Sequence, residues 1–244
     1  MLNVKGKWVF VTGGSRGVGR EIAKSMAGLG ANLILQSRDV RHSEVLAWEL
    51  ATKGVQVKLV ACDLENEASI AAMLAEIDSF GTDVDIVFNN AGLMSKYFVN
   101  YFENTLPDFH QALAVNFLAP VQIAYHFLPK MVKRGSGRML LTTSGIANEP
   151  ELMAYACAKA ALTKFVKDFA NKFNGTDVML NLMDPGWLRT DLGGPKAPNA
   201  VESVIPGALV GNLLEDRRSG RLFAAQDYAG LTLDAALAKA ENAG

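Results

Sequence analysis

Trp8-Val9-Phe10-Val11-Thr12-Gly13-Gly14-Ser15-Arg16-Gly17-Val18-Gly19-Arg20 is the stretch that decides how this chain folds. Trp8 to Val11 is apolar without alternation, the pattern of a strand covered on both faces. From Arg20 onward, Ile22, Ala23, Met26 and Leu29 recur on one helical face. A glycine-rich turn joins the two. In such a strand–turn–helix unit, bare backbone N–H groups and a helix N-terminus meet where a pyrophosphate can dock. The glycine spacing is Gly13-x3-Gly17-x-Gly19, inside TGxxxGxG, and differs from GxGxxG. Gly13, Ser15, Arg16, Gly17, Val18 and Gly19 are the candidate phosphate contacts.

The same alternation continues along the chain. Strands are expected at 32–36, 55–61, 85–88, 137–143, 178–183 and 221–225. Helices are expected at 40–53, about 67–80, 106–131, 154–173 and 200–214, with an alanine-rich, helical or frayed tail at 231–244. There is no repeat, low-complexity segment or linker. This predicts an α/β fold: one Rossmann-type, doubly wound parallel sheet with helices on both faces, in a single domain.

The second strand ends Gln36-Ser37-Arg38. A carboxylate at this point holds the adenosine ribose hydroxyls in dinucleotide folds, and none is present before Asp39. A carboxylate would repel a 2′-phosphate, whereas Arg38 and Arg16 can pair with it. Two charge-assisted hydrogen bonds of about 1.5–3 kcal/mol each predict NADP(H) over NAD(H). The competing reading is two surface arginines. Asp63 closes the third strand and is either a helix N-cap or a ligand contact. With Glu65 or Asn66 able to cap the next helix, Asp63 and Leu64 are free for the adenine edge. Asn89-Asn90-Ala91-Gly92 follows the fourth strand, and its small residues let backbone approach the cofactor. Asn90, Ala91 and Gly92 are the expected contacts, with Asn89 bonded to neighbouring strands instead.

Tyr155-Ala156-Cys157-Ala158-Lys159 starts the helix of 154–173. Positions i and i+4 share a helix face, so Tyr155 and Lys159 point the same way. A free tyrosine has a pKa of about 10 and is roughly 0.1% ionised at pH 7. A cation about 4 Å away, at an effective dielectric of about 20, can supply the ~4 kcal/mol that lowers this by about 3. Taken alone the pattern reads first as a buried tyrosine and a solvated lysine; with the rest of the sequence, Lys159 is expected to bring the Tyr155 pKa toward neutrality.

Composition excludes several classes. The 244 residues are 50% hydrophobic, with net charge −1 and pI near 6.3. There is no basic footprint for nucleic acid and no polybasic membrane patch. No signal-peptide core and no run of 18 apolar residues is present. A soluble, cytoplasmic protein is expected. Cys62 and Cys157 form no CxxC and read as small buried hydrophobes. His42, His110 and His126 are scattered, so no metal site is expected.

Together these motifs resemble the short-chain dehydrogenase/reductase family over essentially the whole chain. The matching residues are Thr12-Gly13-x3-Gly17-x-Gly19, Asp63, Asn89 to Gly92, Asn116, Ser144, Tyr155-x3-Lys159, and Pro185-Gly186 with Thr190. The resemblance implies about seven strands in the order 3-2-1-4-5-6-7. It implies four catalytic positions: Tyr155 as proton donor or acceptor, Lys159 lowering its pKa and binding the nicotinamide ribose, Ser144 bonding the substrate oxygen, and Asn116 holding a water that links Lys159 to solvent. Pro185, Gly186, Leu188 and Thr190 are then nicotinamide contacts. Ser144 and Tyr155 are 11 residues apart, closer than is common in the family, and Thr143 is a rival for the Ser144 role. The segment after Asp184 is similar to the carbonyl-reductase branch, and 188–215 is read as substrate lid and helix. Leu93, Met94, Met153 and Trp187 are candidate substrate contacts. Cys157, between the catalytic pair, is read as packing.

The first functional reading is NADPH-dependent reduction of a ketone or aldehyde. A 3-oxoacyl thioester is the named rival substrate, for which Lys130, Lys133 and Arg134 could form a landing surface for an acidic carrier protein. Secondary-alcohol oxidation is the reverse chemistry, and a catalytically silent NADP-sensing protein is the reading from another class. A homodimer or homotetramer is implied by resemblance only.

Overall fold

Successive residues of the central strands face opposite ways, and each face is buried under its own helices. Val9 and Val11 enter one core and Trp8 and Phe10 the other, all from β1 (Trp8–Val11). In β2 (Asn32–Ser37), Leu33 and Leu35 join the first core and Ile34 the second. With β3 (Val57–Ala61), β4 (Val84–Asn89), β5 (Gly137–Thr142), β6 (Val178–Asp184) and β7 (Leu222–Ala224) they form one parallel sheet, ordered β3-β2-β1-β4-β5-β6-β7. This is the doubly wound α/β fold and the strand order expected. The computed structural model describes residues 1–243.

The first core is covered by α1 (Gly17–Gly28), α2 (Glu44–Ala51), α7 (Gly207–Leu213) and α8 (Leu233–Asn242), through residues such as Ile22, Leu46, Leu209 and Leu237. The second is covered by α3 (Glu67–Ser79), α5 (Ala119–Arg134) and α6 (Met153–Phe169), through Ile70, Met73, Phe127 and Leu162. A further helix, α4 (Leu106–Leu113), packs Ala112 against Ala154 and Ala158 of α6.

Several boundaries differ from the sequence expectation. The helix expected over 40–53 is a 3₁₀ turn, Val40–His42, and then α2 from Glu44. The break falls at Ser43, which is buried and donates to Ser37 Oγ at 3.1 Å. The helix expected over 200–214 begins only at Gly207, because Pro206 lacks an N–H to continue it. Every residue of α7 is buried, so α7 belongs to the core and not to the lid. The stretch 106–131 is α4, a π turn at Ala114–Leu118, and α5. By length and composition, Leu106–Arg134 could span a bilayer. Its apolar stripe (Ala119, Ile123, Phe127, Met131) is instead spent on the sheet. The tail forms α8, and Gly244 lies outside the described residues.

Arg138, on β5, is buried at 2% exposure. It pairs with Asp177 at 2.6 Å and donates to the carbonyl oxygens of Gly137 and Asp177. Removing one partner strands a buried charge. Asp177 is itself partly exposed, so Asp177→Ala should cost about 2 kcal/mol in urea unfolding, below the range for fully buried pairs.

Candidate active site

The loops leaving the C-terminal ends of β1 to β6 open into one cleft of about 1330 Å³. It lies where the strand order reverses, between β1 and β4. Gly13 has φ 64°, and a Cβ there would stand 3.0 Å from Ala91 Cα. A Cβ on Gly19 would overlap the Gly13 carbonyl oxygen. Glycine at these two positions lets the β1 turn press against both the β4 turn and α1. Thr12 Oγ1 accepts from Asn90 N (2.9 Å) and Ala91 N (3.0 Å), and Asn90 Nδ2 donates back to Thr12 O. The N-terminus of α1 has no side-chain cap and no acid in its first turn. Its free N–H groups, with Gly13, Ser15, Gly17 and Val18 on the cleft wall, form a cradle for a pyrophosphate.

At the far end of this cradle no carboxylate follows β2 into the cleft. Gln36 is buried, accepting from Gly13 N and donating to Cys62 O, both at 2.9 Å. Asp39 turns to Arg41, whose guanidinium holds that carboxyl down at about 2. Arg38 and His42 line the cleft instead. Arg16 reaches Asp191 of the overlying loop at 2.6 Å. Both partners are largely exposed, so this pair contributes under about 1 kcal/mol and can yield to a phosphate. Asn66 caps α3, accepting from Ser69 N, while Asp63 and Leu64 line the cleft. Asn89 donates to the Pro120 carbonyl of α5, not to a neighbouring strand.

The other end holds the reactive groups. Tyr155 and Lys159 share the inner face of α6, and Lys159 Nζ lies 5.8 Å from the phenol ring centre. Lys159 donates to Thr142 O at 2.8 Å. Ser144 stands beside the Tyr155 hydroxyl on the cleft wall, close enough to act on its pKa. Thr143 is turned away, bonded to Thr163 Oγ1 at 2.6 Å. The fold thus brings Ser144, not its rival, to the phenol. Asn116, buried in the π turn, accepts from Leu93 N and donates to Leu93 O at 3.0 and 2.9 Å. Both ends of its amide therefore anchor the loop after β4. A Cβ on Gly92 would come 3.1 Å from Asn116 Oδ1 and 3.6 Å from Lys159 Nζ, so glycine keeps open the space between them.

The electrostatics correct one expectation. Burial pushes the Tyr155 phenol up to about 12, against the lowering effect of the neighbouring Ser144 hydroxyl. Burial also pushes Lys159 down to about 8. The lysine does not bring the phenol toward neutrality in the protein alone, because both groups share one desolvated pocket. Tyr155 is held protonated at pH 7.

Pro185, Gly186, Leu188 and Thr190 line the same end, and Thr190 Cγ2 lies 3.5 Å from a Cβ position on Gly17. Leu93, Met94 and Trp187 are on the wall, whereas Met153 is not; its neighbour Leu152 takes that place. Tyr97, Gln36 and Asp184 also line the cleft and were not read from the sequence. For Asp184 a signal existed: like Asp63, it is a carboxylate at a strand's C-terminal end. Cys157 is exposed, not packed, because the face opposite Tyr155 and Lys159 is left uncovered. Among the described residues there is no metal-ligand cluster.

The family described as short chain dehydrogenase matches residues 7–200. The chain belongs to the short-chain dehydrogenase family. It is accordingly an oxidoreductase that acts on CH–OH or C=O groups with a nicotinamide dinucleotide. The 3-oxoacyl-[acyl-carrier-protein] reductase FabG of Aquifex aeolicus is 31% identical over 78% of this chain and 77% of its own length. The uncharacterized oxidoreductase YvrD of Bacillus subtilis is 32% identical over 85% of this chain and 75% of its own. The crystal structure of a 3-oxoacyl (acyl-carrier-protein) reductase from Agrobacterium tumefaciens, with NADP bound, superposes with TM-score 0.82. It is 25% identical, covering 90% of this chain and 93% of that one.

Proposed function

We propose that this short-chain dehydrogenase reduces a ketone or aldehyde carbonyl to the alcohol with NADPH, Tyr155 giving the proton. One observation carries the reading: Ser144, Tyr155 and Lys159 converge at one end of a cleft whose other end presents Arg16 and Arg38. When bound, the cofactor supplies the hydride. Tyr155, protonated at neutral pH, gives its proton to the carbonyl oxygen, and Ser144 donates to the same oxygen. Lys159, charged below about pH 8, stabilises the phenolate left behind. Asn116 fixes the loop that closes the pocket.

NADPH consumption against quinones, diketones, simple aromatic ketones and a 3-oxoacyl thioester tests this, with Tyr155→Phe as the blank. Absence of Tyr155-dependent turnover across the panel would sink the reading. The donor set at the 2′ position supports NADPH. Arg38→Ala should weaken NADPH binding by about 10- to 100-fold and NADH binding by less than about threefold, read as KM for each.

A 3-oxoacyl thioester is the second reading, supported by the names of the Aquifex and Agrobacterium relatives. The basic landing surface is weaker than its sequence suggests: Lys130 pairs with Asp78 and Arg134 with Asp83. Alcohol oxidation, the reverse reaction, is disfavoured by a phenol that keeps its proton. The intact reactive triad weighs against a silent sensor. The reading includes a cytoplasmic homo-oligomer. Two free thiols suit a reducing compartment. The exposed Tyr125 on α5, against the stacked Phe165 and Phe169 of α6, supplies an apolar face for a second copy.

A further inference from the structure

The carbonyl end of the cleft carries an acid that the proton transfer does not use. Asp184 is the last residue of β6 and lines the cleft with Ser144 and Tyr155. Its Oδ1 accepts from Gly186 N at 2.9 Å, which fixes the carboxylate. Its Oδ2 lies 2.7 Å from the position a Cβ on Gly145 would take, so it faces the turn that carries Ser144. Among the described residues, no protein donor meets Oδ2. Lys159 does not pair with it; that ammonium is directed at Thr142 O.

The charges around it are lopsided. Glu149 lines the same end. The cations Arg16 and Arg38 lie at the phosphate end, and the Arg189 guanidinium is taken by the carbonyl oxygens of Ala197 and Pro198. Asp184 is also close enough to the chemistry to raise the pKa of both Tyr155 and Lys159.

We infer that Asp184 determines substrate specificity: its free carboxylate oxygen recognises a protonated amine carried by the carbonyl substrate. The inference rests on the carbonyl-reduction reading and names the substrate class within it, amino ketones. A fixed carboxylate on the cleft wall, with one oxygen that no protein donor meets, gains most from a charged donor, since such hydrogen bonds are roughly twice as strong as neutral ones. An anionic group at the same position is repelled by Asp184 and Glu149 together.

The test compares 1-methyl-4-piperidone, protonated at pH 7, with its uncharged isostere 4-methylcyclohexanone. In the wild type the amine should be favoured by about 10- to 100-fold in kcat/KM, and Asp184→Asn should bring that ratio to about one. A wild-type ratio near one, or a preference that survives Asp184→Asn, overturns the inference and leaves carbonyl reduction standing. A loss equal for both ketones also overturns it, since Asp184 would then act through Lys159 or Tyr155. Turnover that is absent, or that persists in Tyr155→Phe, is a failure of the reduction reading itself. Calorimetric binding of the same two ketones to the enzyme–NADP⁺ complex then decides the inference by the same ratio.

Discussion

Tyr155→Phe should lower kcat/KM for carbonyl reduction by about a thousandfold, with NADPH affinity changed by less than about threefold. General acid catalysis by a positioned side chain is worth about 10²- to 10⁴-fold. Here the donor is buried beside Ser144, and the second phenol on the cleft wall, Tyr97, lies on the loop after β4 and not on the helix of Lys159. Phenylalanine keeps the ring and removes only the hydroxyl, so fold and cofactor cradle stay as they are. Thermal melting of the variant checks this, and fluorescence titration with NADPH checks the cradle. A residual rate above about one tenth of wild type would mean that another group delivers the proton.

The pH profile separates the two members of the pair. Burial holds Tyr155 near 12, so the proton to be donated is present at every pH from about 6 to 9. Lys159 loses its charge near 8, and reduction should slow above that pH as phenolate stabilisation is lost. The alkaline limb therefore belongs to the lysine. In Lys159→Arg the guanidinium stays charged, so the limb should vanish even if the overall rate is lower. A limb that persists unchanged in that variant would assign it to another group.

Much of this site was legible before any coordinates. The strand–turn–helix unit and the shared helix face of Tyr155 and Lys159 follow from local patterns whose meaning does not depend on distant residues, whereas the order of strands and the place of Ser144 beside them came from the family resemblance. Three features were not legible, each for a physical reason. The pKa order of Tyr155 and Lys159 depends on how dry their shared pocket is, and the i, i+4 spacing gives proximity without desolvation. The break of the 200–214 helix was written in Pro206, yet the apolar run on either side of it reads as one face. Cys157 fails in the opposite direction: small and apolar in type, it lies on a surface that one chain leaves bare.

Lys159→Met should remove most of the activity and, at the same time, make the protein more stable. Lys159 is 3% exposed, and its pKa falls from 10.5 to about 8 on folding. The folded state therefore binds the lysine proton less tightly than the unfolded chain does. Between pH 8 and 10.5 the unfolded chain carries that proton and the native protein does not, so stability rises with pH in this window. Below pH 8 both states are protonated and the full cost of the buried charge, about 3 kcal/mol, is present. Methionine has similar length and no charge. It forfeits the hydrogen bond to Thr142 O, worth about 1 kcal/mol. The net gain at pH 7 is about 2 kcal/mol, or about 4–8 °C in Tm for a domain of this size. Melting curves of both proteins at pH 7 and above pH 10.5 check the sign: the gain should shrink with rising pH and give way to a loss of about 1 kcal/mol once the wild-type lysine has no charge penalty and only the missing hydrogen bond remains. A variant less stable than wild type at pH 7 would show that Lys159 is satisfied in its pocket and is held there by more than the carbonyl of Thr142. A stability gain coupled to lost reduction would place this charge among the groups that the fold carries at a cost because the reaction needs them.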